Sequence, residues 1–409
     1  MLNLIWAGFF LCAFGLAVYQ SLCGNSDIWR QIVDSIFTGA DSGFRVSLGL
    51  TGVLCFWLGM LKVAEKSGII DLLARGLKPF FRAIMPELKP DSPAFGSIIM
   101  NVAANILGLD NAATPMGLKA MEQMQKENSH QDKASNPQIM FMVLNSSALT
   151  LLPTTILMYR YQFGATQPAL VFIPILLATS VSTLSGFLLT ALWQRINIFK
   201  PIIMGYLGGT ALLICGMAYW FSTLDVSAKI TAMTIISNAV LFGLIAFFLL
   251  FALFKKQNVY ENFILGAKEG FTIAVQIIPY LVAMLVAIGV FRAAGGIDMI
   301  CAFFAHIVEF CGLDSEFVKA LPTALMKPLS GSGARAMMLD AFKAYGVDSF
   351  AGFASAVVQG STETTFYVLA VYFGAVKIVK TGAALPLALF ADICGIVAAI
   401  AFAYIFYQE

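Results

Sequence analysis

The stretch Gln359-Gly360-Ser361-Thr362-Glu363-Thr364-Thr365 interrupts an otherwise apolar run from about Phe350 to Phe373. A carboxylate and four hydroxyls are costly in hydrocarbon, and such residues inside a span usually face a cavity or pathway. Gly360 lets the backbone unwind, and the hydroxyls can satisfy the amides and carbonyls so freed. The stretch therefore predicts the middle of a broken membrane helix at a solute-binding site. The plainer reading is a helix–helix contact sealed by Ser/Thr hydrogen bonds.

The other half of the chain carries a mate. Leu152-Pro153-Thr154-Thr155 runs on to Phe163-Gly164-Ala165, and Thr362-Glu363-Thr364-Thr365 runs on to Phe373-Gly374-Ala375 over the same distance. The Thr pairs and the Phe-Gly-Ala triplets fall in register. One copy breaks its helix with proline; the other carries glutamate. Interruptions at corresponding points of two halves point to a transporter site.

Composition sets the solvent. Of 409 residues, 59% are hydrophobic and 12% charged, against about 25% charged in soluble domains. This predicts an all-α polytopic membrane protein whose constant partner is the lipid bilayer. No basic run suggests nucleic acid. The seven cysteines are scattered without a CxxC, and His130 and His306 lack metal-ligand spacing. No nucleophile–base constellation or phosphate-binding loop is legible, so no enzyme activity, metal or cofactor is expected.

Along the chain, the first span covers about Leu2 to Tyr19, and Asn25 to Gly43 reads as a helix lying in the interface. A second span covers Val46 to Val63, and Ile69 to Met85 is amphipathic. Pro93 to Met121 is apolar but holds Asn101, Asn105, Asp110, Asn111, Thr114 and Pro115. Asn101 and Asn105 share a helix face. Gly108 to Pro115 is turn-like, with Pro115 suited to the first turn of a new helix. Two half-helices meeting at a tip, a re-entrant hairpin, are expected; one continuous polar-faced span is the alternative. Glu122 to Pro137 is a hydrophilic loop. The broken span with Asn145, Ser146, Ser147 and Pro153 follows, then a span at Ala169 to Leu192.

Pro201 to Phe221 has no counterpart in the first half. The pattern then restarts: spans at Ala228 to Phe254 and Phe271 to Phe291, separated by an interfacial Tyr260 to Gly270, then an amphipathic Ile297 to Phe310. A polar-interrupted Phe317 to Ala344 follows, then the Glu363 helix and a last span at Leu385 to Tyr407. If each hairpin re-enters, the first repeat crosses four times and the unmatched span a fifth, so the second repeat is inverted. A cytoplasmic N-terminus puts most of the 25 Lys and Arg on the cytoplasmic side and the C-terminus on the opposite side.

At this level of detail the chain resembles a known family. Asn111 to Met121 (NAATPMGLKAM) and Leu152 to Thr155 resemble spore maturation protein A. Lys268 to Phe271 (KEGF), Ile278 to Met284 (IPYLVAM), Pro328 to Arg335 (PLSGSGAR) and Gly360 to Tyr367 (GSTETTFY) resemble spore maturation protein B. The resemblance covers nearly the whole chain and reads as a fusion joined near Phe199 to Met204. It implies an A-like repeat at 1–200 and a B-like repeat at 201–409, with 201–221 as a linking span. Both are identified as members of the nucleoside recognition, or Gate, family. That family is similar to the membrane part of the ferrous-iron transporter B and, more distantly, to concentrative nucleoside transporters. The resemblance implies a bacterial cytoplasmic (inner) membrane protein with two inverted repeats, each holding a re-entrant hairpin and a broken helix. It also implies elevator-like movement. The fixed scaffold such movement needs points to a homo-oligomer.

Two tips and two breaks should converge on a small polar or zwitterionic solute: a nucleoside, amino acid or small peptide. The expected solute-binding residues are Asn111, Thr114, Asn145, Thr154, Thr155, Ser330, Gly331, Ser332, Gly333, Arg335, Gln359, Ser361, Thr362, Glu363 and Thr364. Half-helix N-termini offer amides to an anion, and Arg335 offers a fork to a carboxylate or phosphate. An ion pair of Arg335 with Glu363 or Asp340 that only fixes the tip is an equal alternative. Coupling to Na⁺ or H⁺ is expected at Asn101, Asn105, Asp110, Ser146, Ser147 and Glu363. Asp392 reads as a further pathway residue or a lysine partner. A metal-ion permease or channel and a non-transporting accessory protein of envelope or spore maturation are the competing functions.

Overall fold

The computed structural model describes residues 2–108, 110–147, 149–310, 312 and 314–407, without the side chains of residues 2, 3, 110–112 and 226. The first half runs α1 (Leu2–Leu22), α2 (Ile28–Ser67), α3 (Ile69–Ile84), α4 (Ala94–Ile106), α5 (Asp110–Glu127), α6 (Asn136–Ser147), α7 (Thr154–Gln162) and α8 (Phe172–Trp193). After α9 (Pro201–Thr223) the same order returns as α10 (Val226–Phe254), α11 (Val259–Ala293), α12 (Gly296–Phe310), α13 (Leu321–Met326), α14 (Gly331–Tyr345), α15 (Phe350–Gly360), α16 (Thr365–Ala375) and α17 (Ala384–Phe406). Among the described residues, seven helices are long and apolar enough to cross a membrane: α1, α2, α8 with the turn before it, α9, α10, α11 and α17. The chain is a multi-pass membrane protein. Among the described residues the only extended pairing is an isolated bridge between Lys133 and Lys380.

The separate interfacial helices expected before each second span do not exist. Asn25–Gly43 and Val46–Val63 fall largely in one helix, α2, of 40 residues, and Tyr260–Gly270 and Phe271–Phe291 fall in one helix, α11, of 35 residues. The glycines Gly43 and Gly270 that bound those stretches, and Gly39 and Gly266 before them, are packing positions. A Cβ at Gly43 would lie 2.8 Å from Val282 Cα, and one at Gly39 would lie 3.0 Å from Val286 Cα. A Cβ at Gly270 would lie 2.7 Å from Cys55 Cα, and one at Gly266 would lie 2.2 Å from the Leu58 carbonyl oxygen. Each helix thus carries a pair of glycines four apart that admits the other's backbone. The contacts pair early residues of α2 with late residues of α11, so the two run antiparallel. Charges on the projecting start of α2 are held along the helix itself: Arg45 meets Asp41 at 2.7 Å, and Arg30 meets Asp34 at 3.7 Å.

Short paired helices stand where hairpins are expected: α4 with α5, and α13 with α14. The first tip is tighter than the reading of Gly108–Pro115 as a turn. Gly108 adopts φ +73°, which closes the turn within a few residues. Helix α5 already begins at Asp110, so Pro115 lies inside it rather than in its first turn. The second tip is capped by Ser330, whose hydroxyl accepts from Gly333 N at 3.1 Å. The loop expected at Glu122–Pro137 is also shorter, because α5 runs to Glu127. What remains is pinned: Lys380 Nζ meets Asp132 Oδ2 at 2.7 Å, and Ala134 N donates to the Lys380 carbonyl at 3.0 Å. Glu409 lies outside the described residues.

The hairpins cross-pack. Tyr372, on α16 of the second half, lies against Gly117 and receives a 3.2 Å bond from Asn101 Nδ2 in the first hairpin. Arg335, on the second hairpin, lies over the ring of Tyr159 on α7 of the first half, and Phe342 meets Phe163 at 5.5 Å. The second hairpin is also tied to α11 through Arg292, whose Nη2 stands 2.5 Å from Asp340 Oδ2.

Candidate functional site

Both helix breaks leave backbone groups that must find partners away from water, and they find them in the tips and in each other. Leu151 N donates to the Ile106 carbonyl at 2.8 Å, joining the first break to the first tip. Phe366 N donates to the Pro328 carbonyl at 3.1 Å, joining the second break to the second tip. Glu363 N donates to the Ser146 carbonyl at 2.8 Å, joining the breaks to one another. The first residues of α7, α14 and α16 come together here. They enclose a polar cavity of about 140 Å³.

Of the expected solute residues, Thr154, Thr155, Gly331, Arg335, Gln359, Thr362, Glu363 and Thr364 line this cavity, with Asn105 beside them. Glu363 is exposed, while Thr362, Thr364 and Thr365 around it are buried. Amide-rich helix ends favour an anionic group, and two fixed cations, Arg335 and the buried Lys327, stand in the same wall. Glu363 supplies the opposite charge. The pairings weighed for Arg335 resolve on geometry: Asp340 is taken by Arg292, no ion pair joins Arg335 to Glu363 among the described residues, and Arg335 lies 5.8 Å from the Tyr159 ring centroid.

Other expected residues sit elsewhere. Ser330 caps α14, and its hydroxyl is 3.3 Å from that of Ser332. Gly333 is packed, its built Cβ falling 2.3 Å from Met326 Cε. Ser361 donates to the Val358 carbonyl at 2.8 Å. Thr114 is half-buried on α5 away from the cavity lining. Asn145 belongs to a network behind the first tip. Asn105 Nδ2 donates to Asn145 Oδ1 at 2.9 Å, Asn101 Nδ2 to the Ala113 carbonyl at 2.8 Å, and Asn145 Nδ2 to the Phe141 carbonyl at 2.9 Å. Ser147 bonds the Leu144 carbonyl at 3.4 Å. Ser146 contacts Thr365, which donates to Asp392 Oδ2 at 2.6 Å. The side chains of Asp110 and Asn111 lie outside the described residues.

Sequence reasoning missed Tyr159, Lys327 and Tyr372. Tyr372 follows Thr365 by two helical turns and so shares its face; that signal was available. Lys327 stands one residue before the Pro328 at which the tip motif was begun. A larger cavity of about 660 Å³ shares Gly108, Thr154, Thr155, Tyr159 and Arg335 with the first. It continues between α2 and α11 to Lys62, Glu65 and Glu269. Lys62 bridges both carboxylates, each at 3.1 Å.

The Gate profile, described as nucleoside recognition, matches residues 47–161 and 274–379, which hold the tips and breaks of both halves. The chain belongs to the Gate family. This Gate protein is 39% identical over 189 residues to spore maturation protein A of Bacillus subtilis (strain 168), covering 46% of this chain and 93% of that protein. It is 50% identical over 157 residues to spore maturation protein B of the same organism, covering 38% of this chain and 86% of that protein. The two matches fall on different parts of the chain, the pattern of a fusion. No solved structure matches it.

Proposed function

We propose that this Gate protein is a secondary transporter that binds a small polar or zwitterionic solute in the 140 Å³ cavity and couples its movement to an ion. The observation that carries the proposal is the meeting of both tips and both breaks, from both halves, on one cavity with two cations and a solvated carboxylate. Discontinuous helices whose N-termini face a substrate anion are the membrane solution to binding a polar solute in hydrocarbon. Arg335 and Lys327 receive the solute's carboxylate or phosphate; Glu363 receives its ammonium or hydroxyl.

Two inverted repeats, 1–200 and 201–409, are part of the proposal. Gly39 and Gly43 occupy the same places in α2 that Gly266 and Gly270 occupy in α11, and each pair meets the other helix's backbone. A two-fold axis in the membrane plane generates that reciprocity. The α2–α11 pair then serves as the fixed scaffold, within a homo-oligomer of the cytoplasmic membrane, and the tips and breaks move along it. A second reading, an accessory role in spore maturation without transport, is favoured by the names of both relatives.

The test is counterflow of labelled nucleosides, amino acids and dipeptides in proteoliposomes. Counterflow of one class is expected, with concentrative uptake lost in Glu363→Gln. No counterflow of any class would leave the accessory reading standing; full uptake by Glu363→Gln would remove the site.

A further inference from the structure

Asp392, on α17, does not line the solute cavity and is fully buried. Its Oδ2 accepts from Thr365 Oγ1 at 2.6 Å, and Thr365 in turn contacts Ser146. Its Oδ1 and Thr362 Oγ1, on a residue only 3% exposed, lack a partner within hydrogen-bond geometry among the described residues, although the Thr362 hydroxyl is near enough to act on the Asp392 carboxylate. An unsatisfied buried carboxylate oxygen and an unsatisfied buried hydroxyl are each costly, and both belong to one small group of oxygens.

The electrostatics have a sign. The C-terminal ends of α6 and α15 lead into the two breaks that supply Ser146 and Thr362, and a helix C-terminus is the negative end of its dipole. Lys327 and Glu363 are the charged groups that act on Asp392. These three groups, one cation and two carboxylates, sum to −1, while Arg335 of the cavity wall is held over the Tyr159 ring. Every side-chain donor atom in the group is oxygen. A hard monovalent cation fits: it neutralises the cluster, and half-helix C-terminal ends and unwound carbonyls complete its shell. A divalent ion would overcharge it.

We infer that Asp392, Thr362, Thr365 and Ser146 form a sodium site beside the solute cavity. Thr362 belongs to both sites, and the segment Thr362–Thr365 also carries Glu363. Sodium bound to Thr362 and Thr365 fixes this segment in the conformation that presents Glu363 to the solute. Sodium binding itself is independent of transport; its role as the coupling ion rests on the transporter reading.

The experiment is thermal unfolding of the purified full chain in sodium, potassium and choline chloride at equal ionic strength, across a range of pH. A ligand that binds the folded state raises apparent stability by mass action. We expect a saturable, sodium-specific rise in Tm that is absent in Asp392→Asn and diminished in Thr362→Val. The Thr362 variant carries the test if Asp392→Asn does not purify. Glu363→Gln, which removes one of the two carboxylates, diminishes the sodium shift without abolishing it and loses uptake. Equal Tm in all three salts, or a full shift in Asp392→Asn, overturns the site. A Tm that follows pH and ignores sodium assigns the charge to a proton and overturns it as well. A sodium shift without counterflow of any solute supports the site and removes the transport reading instead.

Discussion

Replacing Gly43 with alanine tests the antiparallel α2–α11 pair on which the architecture rests. The new Cβ would lie 2.8 Å from Val282 Cα and 2.9 Å from Val282 N, where ordinary contact begins at 3.4 Å. The obstacle is backbone, so relief requires the two helices to part by roughly half an ångström or more. Overpacking of this kind costs about 1–3 kcal/mol, against a helix-propensity gain of about 0.5–1 kcal/mol. Gly52 lies on the same helix with nothing within 4 Å of its built Cβ. There the same substitution brings only the gain. The two variants should therefore differ by roughly 2 kcal/mol, with opposite signs relative to the parent. Gly270→Ala, facing Cys55 at 2.7 Å, should behave like Gly43→Ala. The double variant should cost less than the sum, because one parting of the helices relieves both contacts. Thermal unfolding of the four proteins in one detergent reads the ordering. Gly43→Ala as stable as Gly52→Ala would refute the close backbone approach, and with it the scaffold.

Removing Arg292 alone should cost about 3–5 kcal/mol by leaving Asp340 buried and unpaired, whereas Arg292→Met combined with Asp340→Leu should cost far less; thermal unfolding of single and double variants separates these outcomes. Lys380 beside Asp132 holds that carboxyl below its ordinary range, so the pair's contribution is present at neutral pH and lost as pH falls through the carboxylate range. Amide protection factors around residues 132–134, taken relative to the intrinsic rate at each pH, should fall on acidification in the parent and be low at every pH in Asp132→Asn. Single cysteines at His130 and Glu409 should label from opposite faces of the membrane; labelling from one face would break the inverted arrangement.

Much of this was legible because the hydrocarbon solvent makes polar interruptions conspicuous. Glu363 and its four hydroxyl neighbours, the Thr154–Thr155 mate and the Ser-Gly-Ser-Gly tip announce themselves against apolar surroundings. Of these, Thr154, Thr155, Gly331, Thr362, Glu363 and Thr364 line the cavity. The failures are of two physical kinds. Gly43 and Gly270 stood as the ends of separate interfacial helices because local composition cannot say whether a glycine relaxes its own backbone or admits another. The bonds that hold Asn101 and Asn145 were not legible because their partners, Tyr372 and Asn105, come from distant elements. The charge distribution was blurred in the same way. Arg160 is 1% exposed and bonds the Val347 carbonyl and Asp348, each at 2.9 Å. Lys327, Arg292 and Arg335 are likewise held within the protein.

The scaffold pair also gives a frame against which the cavities can be located. Gly43 meets Val282 and Gly270 meets Cys55, so the pair is centred where Gly49 and Gln276 face one another. The larger cavity touches α2 at Leu50, Leu54, Trp57, Leu58, Leu61, Lys62 and Glu65, all on one side of that centre. On α11 it touches Glu269, Thr272, Ile273, Gln276 and Ile277, which lie from the centre towards the same end. Helix α7 leads from the solute cavity back towards the centre, where Gln162 lies against Gly49. The frame is two-fold in its contacts, yet the cavity occupies one end of it. On the transport reading, that asymmetry places the tips and breaks nearer the Lys62–Glu269 end, with the solute cavity open along the scaffold to that side. At the opposite end, Arg292 and Asp340 tie α11 to the base of the second hairpin, and Arg160 ties α7 to the loop that follows it. Exchange between the two sides then requires these ion pairs to break or travel with the hairpin, while the glycine contacts of α2 and α11 stay closed.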